Sequence, residues 1–158
     1  MRRVALACAV LALAVLVATF AAQQGRSGQR ASSWAQVATR ACEHMQQRIG
    51  FYGWKHWKPL ADNRPLARVA VLRQELLVIH EDGLREIRSR APASTPAQAR
   101  AVARYSEMLR AIRSVIRTAR RGEVRAYNDA NVRMVRAIVA TRTAFTRAGA
   151  GNICNFAI

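Results

Sequence analysis

Apolar residues return every three or four positions along most of this chain, and no segment sustains alternation at every second position. That pattern predicts helices and no sheet. Trp34, Ala38, Ala41, Met45 and Ile49 mark a first helix, opened by the capping-box pair Ser33 and Gln36 and stopped by Gly50. A second can start at Asn63 with Pro65 in its first turn, running through Leu66, Val69, Ala70, Leu72, Leu76, Leu77, Ile79, Leu84 and Ile87 until Pro92 closes it. The third has the clearest opening: Thr95 as cap, Pro96 at the first helical position and Gln98 completing a capping box. Its stripe is Val102, Tyr105, Leu109, Ile112, Ile116 and Ala119, with Gly122 where a C-terminal cap belongs. Val124, Tyr127, Asn131, Met134, Ile138, Thr141, Phe145 and Ala148 carry the same spacing into a fourth helix, which Gly149 and Gly151 end.

The connection between the third and fourth helices is so short that they must turn back on each other. The pattern therefore predicts an all-α fold, an antiparallel up-down four-helix bundle over residues 33–158. In that arrangement the start of helix one and the end of helix four share one end of the bundle. Asn131 and Thr141 interrupt the apolar seam, and the expected role of each is to bond backbone or fix register.

Ahead of the bundle the pattern changes. Arg2 and Arg3 precede an unbroken apolar run from Val4 to Ala22, so residues 1–22 are expected to be a signal peptide or a transmembrane anchor. Residues 23–32, rich in Gly, Ser and Gln, form a flexible linker. Beyond Cys8 the only cysteines are Cys42 in the first helix and Cys154 near the end. Two cysteines framing one domain point to a disulfide, which implies an oxidising compartment and places the bundle outside the cytoplasm.

Composition then adds a partner. Lys and Arg number 26 against 9 acids, a formal charge of +17, of which +13 belongs to the chain from Ser33 onward. Arg110, Arg113, Arg117 and Arg120 follow one another at helical spacing, joined by Arg121 and Arg125 around the next turn. A solvated face normally interleaves acids with its cations, and helix three has none after Glu107, itself flanked by Arg104 and Arg110. Arginine makes forked contacts to phosphate and carboxylate, so this face is expected to bind an anion. A second candidate is the aromatic stretch Phe51, Tyr52, Trp54 and Trp57, with Lys55 and Lys58. It either contacts a ligand or partner, or packs its rings over the part of the longer helices that helix one does not reach.

No chemistry-bearing constellation accompanies these features. His44, His56 and His80 do not recur at metal-ligand spacing, and His44 and His80 are expected at a surface or boundary. A nucleophile with its base, a phosphate loop and a carboxylate pair are likewise missing, so no enzymatic activity, metal or cofactor is expected.

The succession of a helix-one cysteine, two long Leu- and Arg-rich helices, a Pro-containing break, Tyr105, Met108, Leu109 and Ile112, then Ala119 to Glu123 and Ala144 to Cys154, is similar to a broad set of small exported helical proteins of high-GC Gram-positive bacteria. The likeness spans about residues 33 to 156 and supplies no catalytic residue. The function expected is binding of an anionic envelope partner (lipid headgroups, wall polymer or a protein) by an extracytoplasmic bundle, anchored through residues 4–22 if uncleaved. Two alternatives are a membrane-tethered cytosolic nucleic-acid binder and a small-ligand carrier using loop 51–57.

Overall fold

A computed structural model describes residues 34–51 and 66–151. Among the described residues the chain is all helical: α1 spans 34–51, α2 Leu66–Arg90, α3 Pro96–Arg120 and α4 Val124–Arg147. The four helices pack on one another around a shared core. The leader and linker predicted over 1–32, the Ser33 cap, and Asn63 with Pro65 lie outside the described residues. No helix among those described is long and apolar enough to cross a membrane.

Both ends of α3 and the C-terminal end of α4 follow their sequence signals. Thr95 accepts a hydrogen bond from the Gln98 amide (3.2 Å), while Gln98 Oε1 accepts from the Thr95 amide (3.2 Å), with Pro96 at the start of the first turn. At the other end of α3 the Glu123 amide donates to the Thr118 carbonyl and the Gly122 amide to that of Ala119. These paired bonds form a Schellman cap, which requires the left-handed backbone that Gly122 adopts at φ 69°. The same motif ends α4, where Ala150 donates to Phe145, Gly149 donates to Thr146, and Gly149 has φ 88°. α1 does not stop at Gly50 as the sequence suggested. It runs on through Phe51, because one glycine inside a helix costs only about 1 kcal/mol relative to alanine.

The core is built from the predicted stripes: Trp34, Ala38, Ala41 and Met45 of α1, Leu76, Leu77 and Ile87 of α2, Tyr105, Ile112 and Ile116 of α3, and Met134 and Phe145 of α4. Trp34 and Tyr105 both lean on Phe145, with ring centroids 5.8 Å and 5.7 Å away. Val124 departs from its expected place and is exposed, since it opens α4 ahead of the first buried turn.

Three side-chain contacts mark the register of α2 against α3: Gln74 with Arg120, Glu81 with Arg113, and Arg88 with Ser106. Numbers rise along one helix as they fall along the other, so these two run in opposite directions. α1 lies beside the upper part of α2, where Arg48 pairs with Asp82 and Met45 approaches Gly83.

Candidate anion-binding face

Arg110, Arg113, Arg117 and Arg120 are all exposed on α3, and Arg121 and Arg125 are exposed around the turn into α4. The face read from the sequence is therefore a real surface. Its charges are not equivalent. Arg113 forms an ion pair with Glu81, Arg120 donates to the neutral amide oxygen of Gln74 (3.2 Å), and Arg121 stands 3.8 Å from Glu123. Among the described residues no carboxylate lies within 4.0 Å of Arg110, Arg117 or Arg125. Glu107 pairs with Arg104 one turn away at 2.6 Å, as its flanking residues implied, and so does nothing to neutralise the Arg110 to Arg120 row.

One acid that does reach this row comes from outside α3. Glu81 of α2 crosses the seam to Arg113, a partner that inspection of α3 alone could not supply. The same register brings Arg85 and Arg88 of α2 to this side of the molecule. Arg85 pairs with Asp82 at 2.8 Å, and Arg88 Nη2 donates to the Ser106 hydroxyl at 2.8 Å. Hydrogen bonds from Arg48 above all, and from Arg85, hold the Asp82 carboxyl below its ordinary pKa.

The aromatic stretch is only partly described. Phe51 belongs to α1 rather than to a loop and is 72% exposed, so it does not fill the gap below that helix. Tyr52, Trp54 and Trp57 lie outside the described residues, as do His56 and Cys154. Cys42 is buried on the inner side of α1.

His80 corrects an expectation. It is not a surface or boundary residue but completely buried, and desolvation lowers its pKa to about 4. Its environment is the centre of the bundle. Tyr105 Oη lies 3.0 Å from the His80 carbonyl oxygen and 3.1 Å from Met45 Sδ, two acceptors for its single proton, and 3.5 Å from His80 Nδ1, which accepts or donates according to the imidazole tautomer. Gly83 makes room for this convergence: a Cβ there would lie 3.3 Å from Tyr105 Oη and 3.5 Å from Met45 Sδ. Burial also raises the Tyr105 pKa, which keeps the phenol neutral. The cue for His80 was its spacing, four residues after Leu76 and seven before Ile87 on the buried stripe. His44 is exposed as expected, and no group of three metal-ligating side chains occurs among the described residues.

The two polar interruptions of α4 behave differently. Thr141 Oγ1 lies 2.7 Å from the Ala137 carbonyl and 3.0 Å from that of Arg104 on α3, bonding backbone as expected. Asn131 Oδ1 is buried without a hydrogen-bond partner among the described residues. Arg73, which no sequence cue singled out, is partly buried; desolvation lowers its pKa, against an opposing influence of Tyr127 on α4.

Comparison with protein-family models, with curated proteins and with solved structures finds no match. The functional reading rests on the surface itself.

Proposed function

We propose that this chain is an exported, non-enzymatic helical bundle of the cell envelope that binds an anionic partner through the arginine face of α3 and its following turn. The partner is a lipid headgroup, a wall polymer or an acidic protein, and the bundle is either tethered by residues 4–22 or released from them. The observation that carries the reading is the set of exposed, uncompensated guanidiniums at Arg110, Arg117 and Arg125, within a domain whose formal charge is +13. A charge excess of this size costs self-repulsion in the compact state and attracts polyanions within a Debye length, about 8 Å at physiological salt.

The compartment follows from a proposed disulfide between Cys42 and Cys154, within helices that alternate up and down. The course of the chain near the two cysteines supports the cross-link. Thr39, three residues before Cys42, donates through Oγ1 to the Ala150 carbonyl at 3.1 Å, and a Cβ at Gly149 would touch that of Ala35 at 3.8 Å. The backbone four residues ahead of Cys154 thus runs beside the turn ahead of Cys42, and four residues span up to about 14 Å.

The test uses the full chain embedded in phosphatidylcholine nanodiscs and beads coated with phosphatidylglycerol bilayers or with anionic wall extract. Capture at low ionic strength and release in about 1 M NaCl, where the Debye length is about 3 Å, is expected. Absence of capture at low salt, or capture indifferent to salt, contradicts the reading.

A further inference from the structure

The three contacts that join α2 to α3 form a ladder. Gln74 with Arg120, Glu81 with Arg113 and Arg88 with Ser106 are separated by seven residues on each helix, so successive rungs stand about 10 Å apart. Each rung contains one arginine, yet only the middle one contains a carboxylate. Between the middle and upper rungs the surface opens into a groove of 480 Å³. Leu84 and Leu109, both nearly buried, form its floor, and Arg85, Arg88 and Arg113 stand around it with Glu81.

We propose that this groove binds a phosphodiester bearing a slim aliphatic arm. The inference rests on the proposed anion-binding role of the arginine face and locates a specific site on it. Charge comes first: of the three guanidiniums that line the groove, Arg113 pairs with Glu81 and Arg85 with Asp82, while no carboxylate among the described residues lies within 4.0 Å of Arg88, which is left in surplus. Arg88 is nevertheless positioned, since Ser106 accepts from its Nη2 while donating its own proton to the Val102 carbonyl at 2.9 Å. A neutral hydroxyl orients the guanidinium without neutralising it, leaving donors directed outward for an anion. Arg113 and Arg88 approach from opposite helices, so an anion between them is gripped from both sides. A phosphodiester offers oxygens to both, whereas a chloride-like ion would make no use of the forks. The leucine floor between the rungs favours a ligand whose phosphate carries hydrocarbon over a bare inorganic anion. The volume lies within the range of small-ligand sites.

Lipid headgroups and glycerophosphate wall polymers share this chemistry, and the experiment separates them. The full chain in phosphate-free dodecyl maltoside micelles is titrated with dibutyl phosphate and with inorganic phosphate, following the Ser89 and Ser106 amide resonances. Dibutyl phosphate is expected to bind more tightly than inorganic phosphate. Its affinity should fall at least tenfold in the double variant Arg88→Gln with Arg113→Gln. It should change less than twofold in Arg133→Gln with Arg136→Gln, which removes the same charge from exposed positions of α4 outside the proposed face. Displacement of the bound probe by phosphatidylglycerol nanodiscs assigns the lipid as source, and displacement by soluble polyglycerophosphate assigns the polymer. Displacement by neither, no binding of dibutyl phosphate, or equal weakening in the two double variants overturns the groove. Salt-sensitive capture on anionic beads in those same cases leaves the broader anionic-partner reading standing; loss of capture as well removes both. Thermal midpoints matching the parent show that each variant is folded.

Discussion

His80 is the residue whose burial has the most direct thermodynamic consequence. In the folded bundle its imidazole titrates at about 4, against 6.5 for an exposed histidine. Between those values the unfolded chain binds a proton that the folded chain does not. Stability from this group is therefore complete above pH 6.5 and is lost as pH falls toward 4, a total of about 3 kcal/mol. Urea unfolding across that range should show the decline, and His80→Leu should remove most of it; a variant with an unchanged slope would mean that other groups cause it. His80 was partly legible in the sequence, because its spacing from Leu76 and Ile87 puts it on the apolar stripe. The acidic neighbours Glu81 and Asp82 obscured that, since adjacent residues differ by about 100° around a helix and say little about one another's environment. Asn131 was legible as an interruption of a seam, but the lack of a hydrogen-bond partner for its Oδ1 among the described residues was not, because satisfaction depends on what packs opposite.

At the scale of the element, α3 shows how local signals control helix boundaries. Thr95, Pro96 and Gln98 announce its start, and Gly122 its end, because capping bonds link residues only a few positions apart. Gln98 does more than complete the box: its Oε1 accepts from the Ser94 amide, the Ser94 hydroxyl and the Thr95 amide, and the residue is 1% exposed. Thr95→Ala should cost about 1 kcal/mol. Gln98→Ala should cost more, about 2 to 3 kcal/mol, because it leaves three donors without their shared acceptor. Urea denaturation of the two variants checks the order; an equal or reversed cost would show that the cap is not organised through Gln98. What α3 could not reveal was its partner across the seam. Glu81, Arg85 and Arg88 belong to a helix separated from it by a turn, and their register against Arg113 and Ser106 is set by core packing. The row of arginines could be read from spacing alone, whereas the groove between the rungs required two helices in place.

At the scale of the molecule, the order and core stripes of the helices among the described residues were legible because each helix carries its own periodicity. The direction of the bundle and the compartment depend instead on the contact between the first helix and the tail, for which Thr39 and Ala150 supply the geometry. The proposed Cys42 to Cys154 bridge would close a loop of more than a hundred residues, worth about 4 to 5 kcal/mol at most by the chain-entropy argument. Reduction, or Cys42→Ser, should destabilise the fold by about 2 to 4 kcal/mol in urea, and the oxidised protein should show no thiol from either cysteine when denatured. Two free thiols there would place the bundle in a reducing compartment. Exposed arginine is not confined to α3, since Arg133, Arg136 and Arg147 of α4 are exposed too. The central claim is therefore one of location as much as of charge. Its most direct test compares two charge-matched triple variants of the full chain in phosphatidylcholine nanodiscs on phosphatidylglycerol-coated beads at low salt. Arg110→Gln, Arg117→Gln and Arg120→Gln together should weaken capture at least tenfold, while Arg133→Gln, Arg136→Gln and Arg147→Gln together should weaken it less than threefold. Equal loss in the two would show that net charge, and not the α3 face, holds the partner.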